Sequence, residues 1–105
     1  MFDKVTEKFL RYVRIDTQSD EESENFPSTE KQHNLAKLLA EELKEMGASD
    51  VVYDTEHCYV YAKIPSNLEE TGNKKGLGFI AHMDTSPEMS GADISPKIVK
   101  NYDGG

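Results

Sequence analysis

His82 and Asp84 are the residues of this 105-residue chain whose types and spacing could do chemistry together. They stand one residue apart, in the stretch GLGFIAHMDTSP, where an apolar run gives way to polar residues. Positions i and i+2 of a strand point the same way, so both side chains can face one cavity. Two chemistries fit. In one, His82 ligates a metal, and Asp84 either ligates too or accepts the ring's other N–H, which fixes the tautomer and raises basicity. In the other, the pair is a general base beside a serine nucleophile. Ser86 and Ser90 are near, but neither sits in a G-x-S-x-G elbow. The bland reading is a histidine at a strand end and an aspartate opening the turn DTSP. The spacing alone does not choose among these.

The remaining candidates read as structural. His33 falls on the polar side of a helix and His57 in a turn, so both are expected to be solvated. Cys58 is the one cysteine; it can form no internal disulfide, and it reads as a small residue near a strand in a reducing, cytoplasmic setting. The DEESE run (20–24) is expected to be a solvated acidic loop, and Tyr59 and Tyr61 to pack on one strand face. GLG precedes a strand pattern rather than joining strand to helix, so it is no phosphate loop.

The elements that must position the pair follow from periodicity. Phe2, Val5, Phe9, Tyr12 and Val13 recur at helical steps and predict a helix over 2–14. Residues 16–28 read as an acidic surface loop. Thr29 and Gln32 form a capping-box pattern for a second helix, with Leu35, Leu38, Leu39, Leu43 and Met46 on one face and Gly47 at its end. VVYD (51–54) and YVYAKI (59–64) predict a hairpin closed by TEHC and ended by Pro65. Residues 66–76 read as a loop. LGFIA (77–81), apolar on both faces, predicts a third strand buried in an α/β sheet, where sites gather at carboxyl ends. The expected class is thus α/β, two helices followed by a hairpin and a buried central strand. Too little chain remains to pair and cover that strand, so the sequence reads as the front of something larger.

The net charge of −8 argues against nucleic acid and anionic membrane surfaces as partners. No apolar run approaches the ~20 residues of a membrane span. The charges in MFDKVTEKFLRYV leave no apolar segment for a secretory signal. A chain of this length is expected to bury roughly two-thirds of its unfolded surface.

Five segments, DTQS (16–19), PSTEKQ (27–32), LAEELKEMG (39–47), GFIAHMDTSPEMSG (78–91) and IVKNYDGG (98–105), together resemble the N-terminal part of the tripeptide aminopeptidases of the M20 metallopeptidase family. The resemblance spans essentially the whole chain. It implies a two-domain enzyme whose α/β catalytic domain holds two zinc ions and whose smaller inserted domain makes a dimer. It implies removal of the N-terminal residue from tripeptides. On the family pattern His82 matches a zinc ligand, and Asp84 matches the acidic residue that supports this histidine. DTQS matches a segment with no catalytic role. Family members are several times longer, and the other ligands and the general-base glutamate fall beyond residue 105. The resemblance therefore makes residues 1–105 a partial catalytic domain, inactive by itself and open to self-association through an exposed sheet edge. The alternative is a non-catalytic binding module that keeps only the front of the fold.

Overall fold

The computed structural model describes residues 3–69, 72 and 74–105. Phe2, assigned above to the first helix, and Glu70, Thr71 and Asn73, assigned to a loop, lie outside the described residues. The elements run α1 (Lys4–Tyr12), α2 (Gln32–Glu45), β1 (Ser49–Asp54) and β2 (Tyr59–Lys63). The expected order of two helices and then a hairpin is present.

α1 begins at Asp3, whose carboxylate accepts the Thr6 N–H at 2.7 Å. That bond satisfies one of the free donors of the first turn. Its apolar stripe is less covered than its spacing predicts: Val5 is 76% and Phe9 61% exposed. What fastens α1 to α2 is polar. Glu42 of α2 is buried and accepts hydrogen bonds from Tyr12 Oη and Arg11 Nη2, with Lys8 Nζ at 3.5 Å. Burial pushes the Glu42 carboxyl up, but the Tyr12 hydroxyl and the charges of Lys8 and Arg11 outweigh it and hold it below its ordinary value. Burial and the neighbouring carboxylate push Tyr12 up, so it remains the neutral donor. Because Glu42 titrates lower folded than unfolded, its contribution is present above the ordinary value of 4.5 and is lost as pH falls through the folded value. Glu42→Gln is expected to cost about 2 kcal/mol in urea unfolding at pH 7, mostly through Tyr12, since Arg11 is half exposed. The gap between variant and parent should close as the pH is lowered through the acid limb.

α2 starts later than the capping-box pattern implied. Lys31 occupies the N-cap and makes no side-chain capping bond. Thr29 Oγ1 instead donates to the Gln18 carbonyl at 2.7 Å, and Gln32, itself buried, donates through Nε2 to Thr29 Oγ1 at 3.0 Å. The two side chains meet each other, but neither satisfies the other's backbone. The predicted end is present. Gly47 has φ +85°, Ala48 N–H donates to Leu43 O at 3.0 Å and Gly47 N–H to Lys44 O at 3.1 Å. This is the Schellman closure, and a left-handed residue is what it requires.

β1 and β2 pair antiparallel, with Val52 opposite Tyr61 and Asp54 opposite Tyr59; a bulge lies between Ser49 and Val52. Asp54 closes the turn by accepting the Glu56 and His57 N–H groups and the His57 ring at 2.9 Å. α2 packs across this hairpin. Leu35, Ala36, Ala40 and Cys58 form the buried apolar centre, and alanines at the contact let the helix approach the sheet closely. Met46, predicted for the same helix face, is 66% exposed.

The third strand is not formed. Residues 77–81 carry no helix or strand, and Leu77, Phe79 and Ile80 are 82%, 90% and 101% exposed. The physical reason is that β1 and β2 pair only with each other, and α2 packs on that hairpin rather than on 77–81. No strand among the described residues lies beside 77–81, and no helix is left to cover it. A run of this composition is stable as a strand only between two layers. The burial expectation falls with it. The chain exposes 9136 Å², against about 5,900 Å² for a compact protein of this length. Its radius of gyration is 17.0 Å, where about 13 Å is usual.

Candidate functional site

His82 and Asp84 are brought together as their spacing predicts. The His82 Nδ1 to Asp84 Oδ1 distance is 3.0 Å. With Nδ1 protonated the ring donates to the carboxylate, and Nε2 keeps its lone pair. The His82 side chain is 84% exposed and that of Asp84 40%. The carboxylate is therefore partly sheltered while the ring stands free. Both residues lie on the wall of an open groove of about 960 Å³, with Phe79 and Ile80 on the same segment and Tyr12, Leu43 and Tyr61 across it.

The serine alternative finds no geometry. Ser86 Oγ accepts the Glu88 N–H at 3.3 Å, and Ser90 Oγ accepts the Ala92 N–H at 3.2 Å. Both hydroxyls are engaged in local turns, and no hydrogen bond joins either to His82 among the described residues.

Of the other histidines, His57 lies on the wall of the same groove, and His33 is not among the residues that line it. His57 sits in the hairpin turn as expected, bonded to Asp54 and stacked on Tyr59 at 5.8 Å. The Asp54 carboxylate raises His57, and His57 in turn lowers Asp54. His33 departs from the solvated reading: its side chain is 15% exposed and its Nδ1 is bonded to the Tyr53 hydroxyl. The predicted tyrosine pair does pack edge to face at 6.2 Å, although Tyr59 and Tyr61 stay about half exposed. Cys58 is buried, and burial followed by the Glu30 charge pushes its thiol up, away from the thiolate a nucleophile needs.

Among the described residues, no group of three or more His, Cys, Asp or Glu side chains is placed to hold a metal ion. No helix there is long and apolar enough to cross a membrane. The groove wall also carries Glu42, His57 and Cys58. Glu42 is bonded to Tyr12 and Arg11, His57 to Asp54, and Cys58 is buried, whereas the His82 ring, with Asp84 beside it, stands exposed.

Residues 16–19, given no role by the sequence, turn out to hold this segment. Gln18 and Thr85 form an isolated parallel bridge. Thr85 N–H donates to Thr17 O at 3.0 Å, and Ser19 N–H and Oγ both donate to Thr85 O at 2.9 Å. Gln18 Nε2 reaches Pro87 O at 2.9 Å. Nothing local in DTQS announces this, because its partners lie 66 or more residues away.

Curated proteins that this chain matches include peptidases. They are named peptidase T. That of Alkaliphilus oremlandii is 58% identical over 100 residues, covering 95% of this chain and 24% of the relative. That of Clostridium acetobutylicum is 56% identical over 102 residues, 97% of this chain and 24% of the relative. That of Geobacillus thermodenitrificans is 47% identical over 105 residues, the whole of this chain and 25% of the relative. The chain is similar to these proteins over nearly all of its own length and spans about a quarter of theirs. No family model matches the chain.

Proposed function

We propose that this chain is the N-terminal portion of a tripeptide aminopeptidase of the peptidase T kind, part of its zinc-peptidase catalytic domain, and that His82 supplies one metal ligand supported by Asp84. The observation that carries the reading is the His82–Asp84 bond, which leaves Nε2 free on an exposed ring on the wall of an open groove. The residues fit zinc in kind. An imidazole held by a carboxylate is the usual form of a zinc-binding histidine. Zinc, when bound, supplies a water whose pKa lies near 7.

In this reading the chain's own work is positional. Asp84 keeps the proton on Nδ1 and the ring in one orientation, so that Nε2 always presents its lone pair to the same point. A catalytic zinc site takes three protein ligands, and this chain brings one. The ligands and the base that complete the site belong to the three-quarters of the relatives that the chain does not span. A cytoplasmic location accompanies this reading, supported by the free Cys58.

The chain by itself is expected to hydrolyse no tripeptide when zinc is added, and to retain substoichiometric zinc after purification. Metal analysis and a tripeptide assay check both. Turnover that a chelator abolishes would show that the 105 residues hold a complete site and would overturn the partial-domain reading.

A further inference from the structure

The segment behind the candidate ligand is fastened by a polar knot that the reading above does not use. Asp16 is its centre. Asp16 Oδ1 accepts the Gln18 N–H at 3.1 Å, and Oδ2 accepts from Lys31 Nζ at 3.0 Å. Lys31 Nζ also lies 3.4 Å from Gln18 Oε1. These two bonds hold the Asp16 carboxyl below its ordinary value, the Gln18 amide first and Lys31 next. The knot thus ties the loop before α2 to the N-cap of that helix. It then grips Thr85, the neighbour of Asp84, through both of its backbone groups. Thr17, whose carbonyl makes one of the two grips, is 2% exposed.

Gly91 closes the knot from below. A Cβ built there would lie 2.8 Å from Asp16 Oδ1 and 3.2 Å from Thr85 Oγ1. Asp16 cannot swing aside cheaply, since both its oxygens are engaged. Gly91 has no left-handed φ, so the demand for glycine is one of space rather than of backbone conformation.

We propose that Asp16, Lys31 and Gly91 are positioning residues: the knot they form clamps Thr85 and so holds the Asp84 carboxylate against the His82 ring. This inference rests on the reading of Asp84 as the support of His82. An exposed ring has few contacts of its own to fix it. Its orientation must come from Asp84, and the backbone of Asp84 is held from Thr85. Coupling of this kind, through a carboxylate and the element that places it, is how ligand orientation is ordinarily set.

The test is nuclear magnetic resonance on the 105-residue chain at a pH above the ordinary histidine range. It reads the ring nitrogens of His82 and the exchange rate of the Thr85 amide. Gly91→Ala should raise Thr85 exchange about tenfold or more, the usual scale of an overpacked contact, and convert His82 from a single Nδ1–H tautomer to a mixture. Lys31→Met should act in the same direction without adding volume, and it decides the matter if Gly91→Ala disturbs the α2 signals. Lys31→Arg should behave as the parent. So should Gly78→Ala, where a Cβ meets nothing within 4 Å. Faster Thr85 exchange with a single unchanged His82 tautomer would overturn the proposal and make the knot purely structural. No change in either readout would overturn it too. A parent chain that already shows mixed tautomers would instead overturn the reading of Asp84 as a support, and the proposal with it.

Discussion

Replacing His82 with alanine, in a peptidase T whose matching quarter is this chain, is expected to lower kcat/KM for a tripeptide by about a thousandfold or more. A metal's contribution to the transition state is several kcal/mol, and each 1.36 kcal/mol is tenfold in rate. Alanine removes the free Nε2 and leaves only the Asp84 carboxylate on the 82–84 segment, and the nearby serines are engaged in local bonds. Asp84→Asn should behave differently. The ligand remains, but the amide no longer fixes its proton, and metal affinity should fall by about 10–100-fold. Excess zinc should therefore restore the Asp84 variant and leave the His82 variant dead. A His82→Ala enzyme that kept a tenth of its activity, or that recovered fully with zinc, would sink the ligand assignment.

The chain is expected to self-associate through residues 77–81. Phe79 and Ile80 are almost wholly exposed on a segment whose backbone enters no ladder. Burying side chains of this size is worth about 1.5–3 kcal/mol each. Together they can strengthen association by roughly a hundredfold to ten-thousandfold, at 1.4 kcal/mol per tenfold. An unpaired strand-forming segment is also a ready template for a second copy. Light scattering should give a mass above the monomer's, and Phe79→Lys with Ile80→Lys should return the chain to a monomer. A parent chain that stays monomeric at high concentration would remove this prediction.

The parts of the fold that were legible in the sequence are those whose signals are local. α2 and its end at Gly47 follow from a repeating apolar face and one residue suited to a left-handed turn. The hairpin follows from alternation and the TEHC connection. His82 and Asp84 meet because they are two residues apart. What misled was local as well. LGFIA has the composition of a buried strand, but burial is a property of neighbours, and among the described residues none stand beside it. The Thr29–Gln32 pattern fits a capping box, yet Thr29 is drawn to the Gln18 carbonyl, so α2 starts at Gln32 instead. His33 sits on the polar side of its helix, and Tyr53 of the hairpin covers it. The knot was hidden because Asp16, Lys31, Thr85 and Gly91 come from three separate segments. The burial of Glu42 had no local signal either, because its partners Tyr12 and Arg11 come from another helix.

The most direct test of the account counts metal rather than turnover. A peptidase T carrying this chain as its matching quarter should be purified with and without His82→Ala and analysed for zinc. The variant should stay folded and lose zinc relative to its parent. Equal zinc in the two proteins, each folded, would contradict the claim that His82 is a ligand.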